Sequence, residues 1–236
     1  METTYTHYCG ILEDMIESNP FYKWFFQHPY APDYGYEYSD DVSMMFGAMR
    51  ACLVDRNWDE VVKFTVCPDL GDEDPCAREY QNYLAATRCG VDRFFTRCNF
   101  IGDFVMKYRW YNWEDVSRIV SPDPDNDRWV AEIAGDIPMV DVEVCVPLYS
   151  YEKAYDTTIK WTLSDEEVEF CENSESPLTK SSYEVGSMFK EEYSDEEFWE
   201  LSEFCDMYGI NDLHSGNIGR VDGRLVILDY AGCEGF

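Results

Sequence analysis

The pattern of apolar and polar positions changes period several times along the chain. Ile11, Leu12, Met15 and Ile16 recur at helical spacing, and behind Asn19-Pro20 comes the aromatic run Phe21-Tyr22-Lys23-Trp24-Phe25-Phe26, so two short helices are predicted. A turn-rich stretch over 29–41 gives way to an apolar segment over 42–54 that reads as two strands turning near Gly47. Asp55-Arg56-Asn57 signals a hairpin, and residues 60–66 read as a third strand, β-branched and apolar except for Lys63. Asp72-Glu73-Asp74-Pro75 then supplies helix-start chemistry for a helix running to Gly90, with Glu79 in its second turn.

Residues 91–133 carry the aromatic-rich segment 104–111 and a turn over 121–126, and are read as an insertion. Val140, Val142, Val144 and Val146 alternate within 137–148 and predict an edge strand of the same sheet, with Pro147 breaking the pattern. Acidic residues dominate from Ser164. Ser194-Asp195-Glu196-Glu197 offers an N-cap with acids in the first turn for a helix through Phe198, Leu201, Phe204 and Cys205 to Gly209. The expected class is α+β: a helical and aromatic extension over 1–41, a β-rich lobe with an insertion over 42–149, and a helical lobe over 150–236. No repeat of fixed period is present.

Charge narrows the range of partners. With 48 acidic against 18 basic residues the formal net charge is -30, a field that repels phosphate backbones and attracts basic proteins. Direct nucleic-acid binding is not expected. The ten cysteines are widely spaced without a C-x-x-C pair, and read as reduced, mostly buried thiols. The start is polar and no apolar run is long enough to cross a bilayer, so the expected location is the cytoplasm, with no membrane partner.

The segment from Ile210 to Gly232 carries the chemistry. Asp212 and Asn217 stand five residues apart on one loop; a turn over 221–224 reverses the chain; and a strand delivers Asp229 beside them. Phosphoryl transfer from ATP needs such a set: an acid to take the proton of the attacking hydroxyl, and hard oxygen ligands for Mg²⁺ on the phosphates. Asp212 suits the base, Asn217 and Asp229 the metal.

An aspartate and asparagine in D-x-x-x-x-N spacing, followed about a dozen residues later by an acid closing a strand, resemble the catalytic loop and D-F-G acid of protein-kinase-like enzymes. Asp212-Leu213-His214-Ser215-Gly216-Asn217-Ile218 is similar to the loop of the small serine/threonine protein kinases encoded by early genes of short-tailed coliphages. Aminoglycoside-type small-molecule kinases share its D-x-H-x-x-N part. The resemblance implies a two-lobed kinase fold, truncated after the D-F-G equivalent, in which the lobe over 42–149 binds nucleotide. It further implies that Lys63 contacts the α- and β-phosphates of ATP and that Glu79 pairs with that lysine. Gly47, the one glycine retained from G-x-G-x-x-G, and His214 complete the implied nucleotide contacts, although a histidine in a tight loop more often pins backbone geometry. Asn211 stands where an arginine commonly precedes the aspartate, and the sequence has no A-P-E motif after Gly232. Two functions are implied: an ATP- and Mg²⁺-dependent serine/threonine protein kinase, phage-encoded and acting on basic host proteins, or a pseudokinase whose acidic surface mimics nucleic acid and blocks a host factor.

Overall fold

The computed structural model describes residues 2–27, 36–47, 50–65, 74–112, 138–155, 157–159 and 161–232. It is α+β, with seven helices, a six-stranded sheet and a two-stranded sheet among those residues. The chain divides into two compact units, one formed by Met1–Asp74 and Phe100–Ser150, the other by Pro75–Asn99 and Tyr151–Phe236. The helix after residue 74, expected within the β-rich lobe, therefore belongs to the second unit. The turn expected over 121–126 lies outside the described residues, as does most of the stretch 29–41.

In the first unit, helices α1 (Thr4–Ser18) and α2 (Pro20–Phe25) precede strands β1 (Tyr36–Glu37), β2 (Val42–Phe46), β3 (Arg50–Asp55) and β4 (Glu60–Thr65). Thr3 caps α1 by accepting from Thr6 N, while Asn19 caps α2 with Pro20 in its first turn. These helices are no extension. Tyr8, Leu12, Met15 and Ile16, one face of α1, join Phe21 and Phe25 of α2 and Met44, Leu53, Val62 and Phe64 of the strands in one buried core. Polar contacts fix the docking: Tyr8 Oη donates to Glu60 O at 2.6 Å, and Tyr5 Oη to Asp103 O at 2.8 Å.

β2 and β3 pair antiparallel as Val42↔Asp55 through Phe46↔Ala51, and β3 and β4 as Arg50↔Thr65 through Leu53↔Val62. Two long strands, β5 (Cys98–Tyr111) and β6 (Met139–Glu152), complete the order β1-β2-β3-β4-β6-β5. The sequence expectation is corrected twice here. The segment read as the start of an insertion is the edge strand β5, and β6 is interior and runs through Pro147. Burial of Leu148, Tyr149, Ser150 and Tyr151 outweighs the one ladder hydrogen bond that a proline cannot donate. Lys107–Glu143 at 2.7 Å and Arg109–Asp141 at 3.4 Å cross the β5/β6 pair. Gly102 of β5 has φ +138°, and a Cβ there would lie 2.8 Å from the Tyr5 ring, so glycine is required both by conformation and by the close approach of α1.

The second unit contains α3 (Pro75–Cys89), α4 (Asp165–Asn173), α5 (Pro177–Ser181), α6 (Tyr183–Glu192), α7 (Asp195–Met207) and the hairpin β7 (Ile218–Val221) with β8 (Arg224–Ile227). Ser164 and Ser194 each close a capping box, with Glu167 and Glu197, and acids fill both first turns where the helix dipole favours them. Val185, Phe189, Phe198, Leu201, Leu213 and Leu225 are fully or almost fully buried. α5 and α6 meet at Gly186, where an added Cβ would stand 2.6 Å from Thr179 Cγ2 and 2.9 Å from Thr179 Cα. Helix propensity alone favours alanine over glycine by about 1 kcal/mol. The Thr179 backbone cannot swing away, so Gly186→Ala is expected to destabilise the unit by about 1–3 kcal/mol, read as a lower urea midpoint.

Of the described cysteines, Cys76, Cys98, Cys171 and Cys205 are buried, Cys9 and Cys52 half-buried, and Cys89 and Cys145 exposed, so burial is less general than expected. No helix among the described residues is long and apolar enough to cross a membrane.

Candidate functional site

Five of the seven expected site residues lie in the second unit. After α7 the chain turns at Gly209, φ +65°, and Ile210 and Leu213 drive into the core, leaving Asp212 and His214 on the exposed side of the loop. A short 3-10 turn, Ser215–Asn217, comes next. His214 caps it: Nδ1 accepts from Gly216 N at 3.0 Å, and His214 O accepts from Asn217 N at 2.9 Å. The ring thereby pins the loop backbone. Asn217 Nδ2 donates to Asp212 O at 2.7 Å, which explains why the aspartate and asparagine stand five apart: the asparagine closes the loop on the residue that opens it.

The hairpin then sets Asp229. β7 and β8 pair as Ile218↔Ile227 through Val221↔Arg224 around Asp222-Gly223, whose φ angles of 51° and 82° are the two positive values a tight two-residue hairpin turn demands. The ladder gains one further bond, Leu228 N to Asn217 O at 2.8 Å, so Asp229 comes directly after the residue bonded to Asn217. With Nδ2 engaged, Asn217 keeps its Oδ1 as an acceptor, and Asp229 is half-buried.

Glu79 anchors the backbone on the C-terminal side of Asp229. Its carboxylate is fully buried on α3; Oε1 accepts from Tyr230 N at 3.0 Å and Oε2 from Tyr151 Oη at 2.6 Å. Asn82, one turn further along the same face, donates Nδ2 to Tyr230 O at 2.7 Å, and Arg78 Nη1 donates to Gly232 O at 3.2 Å. Tyr230 Oη reaches Thr96 O at 2.7 Å. Burial, then the neighbouring Glu79 charge, pushes the Tyr151 phenol well above its ordinary pKa, so it stays a donor to that carboxylate. Gly232, φ +73°, passes so close to the end of α7 that a Cβ would lie 2.8 Å from Gly209 O. Sequence reasoning singled out Glu79 but missed Asn82, Tyr151 and Tyr230. The available signal was the buried stripe of α3, Cys76, Glu79, Asn82, Ala85 and Ala86, in which two polar residues stand at core spacing.

Arg220 ties the hairpin to α6 through a fork, Nη1 to Glu192 Oε1 and Nη2 to Glu192 Oε2, both 3.0 Å. The guanidinium holds the Glu192 carboxyl below its ordinary pKa. A depressed carboxylate stabilises the fold above its unfolded pKa, and that contribution fades as pH falls through the lower folded value. Glu192→Gln is expected to lower the thermal midpoint at pH 7, the gap closing as the pH drops below about 4. Both side chains are about one-third exposed, 34% and 32%, so solvent screening keeps the gap small.

The remaining two residues lie in the first unit. Lys63 is half-buried in the middle of β4, paired with Cys52, between the buried Val62 and Phe64 of the opposite face. Gly47 N donates to Arg50 O at 2.8 Å, and among the described residues a Cβ there would meet only that oxygen, at 3.9 Å. Among the described residues no group of three or more His, Cys, Asp and Glu side chains could hold a metal ion. Asn217 and Asp229 offer a smaller set of hard oxygen donors, which suits Mg²⁺, an ion that keeps waters and substrate phosphate oxygens in its shell. Comparison with protein-family models, with curated proteins and with solved structures finds no match.

Proposed function

We propose that the chain is an ATP- and Mg²⁺-dependent serine/threonine protein kinase. The observation that supports this reading is the double tie of Asn217, to Asp212 O by its side chain and to Leu228 N by its backbone, which holds the loop that carries Asp212 against the strand end that leads into Asp229. In the proposed reaction a serine or threonine hydroxyl attacks the γ-phosphorus of ATP. The new O–P bond forms as the bond from that phosphorus to the β,γ-bridging oxygen breaks, ADP leaves, and Asp212 takes the hydroxyl proton. Asn217 and Asp229 would hold Mg²⁺, whose charge offsets that of the phosphates. The resemblance assigns Lys63 to the α- and β-phosphates. A two-lobed kinase fold, a phage-encoded origin and action on host proteins rest on that resemblance as well.

The net charge of -30 supports basic substrates. The test is transfer of label from γ-labelled ATP to a histone mixture with Mg²⁺. Labelled phosphoserine or phosphothreonine that disappears with chelator is the expected result. Absence of label together with absence of ATP binding by calorimetry would remove the kinase reading. It would leave the second reading, an acidic binding protein on the same framework, which the charge favours.

A further inference from the structure

The geometry points to a second binding site, a pocket between α4 and α7 that takes an arginine side chain of a basic peptide segment. It uses no residue of the Asp212 loop, and its occupancy does not depend on phosphoryl transfer. The cavity holds about 320 Å³ and is lined by Glu166, Glu169, Phe170, Asn173 and Ser174 with Trp199. Its walls are aromatic and built: Phe198, fully buried, stands edge-on to Phe170 at 5.7 Å and to Trp199 at 5.3 Å, so both outer rings are braced by a core residue. Asn173 Nδ2 donates to Glu169 O at 2.7 Å and secures the end of α4 beside them. Trp199 nonetheless leaves 42% of its surface exposed.

The lining is mostly apolar, which suits the methylene stem and flat face of an arginine, and two features favour a charged head group on the guest. The carboxylates of Glu166 and Glu169 stand on the same helix as Phe170, three residues apart, and neither has a hydrogen bond or ion pair among the described residues. The ring cluster also already accepts one cation from within the chain: Lys190 Nζ stands 5.4 Å from the Phe170 centroid and 5.6 Å from that of Phe198, with its charge met by Asp195. The Trp199 indole is the ring of this set that no cation among the described residues covers. A guanidinium is flat, stacks on indole and offers a fork of donors to two carboxylates, whereas an ammonium is a more strongly hydrated point charge; arginine is therefore the occupant. A net charge of -30 brings basic segments to the surface, and the pocket selects among them.

The test is fluorescence anisotropy of the full chain, without nucleotide and at physiological salt. The probe is a labelled arginine–serine–glycine peptide, compared with the same peptide carrying citrulline or lysine for arginine. The arginine peptide is expected to bind, the lysine peptide more weakly, and the neutral citrulline peptide not at all. Trp199→Ala, and separately Glu166→Gln with Glu169→Gln, should weaken binding by roughly fivefold to thirtyfold, while Trp199→Phe keeps most of it. A charge-matched control on α1, Glu13→Gln with Glu17→Gln, should leave it within about twofold. Equal binding of the citrulline peptide, tighter binding of the lysine peptide, an unaffected Trp199→Ala, or an equal loss in the α1 control would each overturn the site. Since no ATP is present, none of these results bears on the phosphotransferase reading.

Discussion

Replacing Glu79 by leucine is expected to cost the second unit about 2–6 kcal/mol, a large part of the 5–15 kcal/mol typical of a folded domain. The substitution conserves bulk and removes the carboxylate oxygens that accept from the buried Tyr151 hydroxyl and the buried Tyr230 N–H. Each lost bond to the carboxylate costs about 1–3 kcal/mol, and the apolar gain of leucine recovers little because the donors remain. Glu79→Gln should lie between: its amide oxygen can serve one donor while its NH₂ confronts the other. Adding Tyr151→Phe to Glu79→Leu removes the buried hydroxyl that donated to the carboxylate, so the double variant should be more stable than the leucine single variant. Urea unfolding of the four proteins checks the ordering. A leucine variant as stable as the native chain would show that this buried carboxylate contributes nothing to holding the Tyr230 segment.

The second large effect is catalytic and should leave stability alone. Asp212→Asn is expected to slow label transfer by about 10²–10⁴-fold, the usual contribution of a general base, with an unchanged thermal midpoint. The separation follows from the geometry. The Asp212 side chain is exposed, and the loop is closed through its backbone oxygen, which the substitution keeps. Asn217→Ala, by contrast, removes the loop closure and a proposed metal ligand together, and should lower both activity and stability. If transfer by native protein survives Asp212→Asn unaltered, the base assignment fails even though the chain remains a phosphotransferase.

How much of this was legible in the sequence depended on whether the signal was local. The hairpin at Asp222-Gly223, the capped start of α7 at Ser194 and the stop of α3 at Gly90 are each set by a few adjacent residues, and each stands where the chain pattern places it. The α+β class came from the same signals. β5 carried a local signal that was passed over: Phe104, Met106, Tyr108 and Trp110 alternate with Val105, Lys107 and Arg109, and burial follows that period of two, but the density of aromatic residues obscured the alternation. Pro147 misled for a different reason: a local prohibition on ladder donors was outweighed by burial that depends on the rest of the sheet. The candidate site divides in the same way. The spacing of Asp212, Asn217 and Asp229 is local and readable, whereas the partners of Glu79 come from segments around residues 151 and 230.

That last separation has a consequence for biosynthesis. The residue that gives Glu79 its backbone donor lies 151 positions later in the chain. At about 5–20 residues per second, a ribosome needs roughly 8–30 seconds to cover that distance. Throughout that interval α3 can form but cannot bury its glutamate satisfied, so the second unit cannot complete its fold while the chain is still short. Until residue 230 has been made, the nascent chain thus carries an open, carboxylate-bearing helix face, and a chaperone that shields this face during the interval is expected to raise the yield of folded protein.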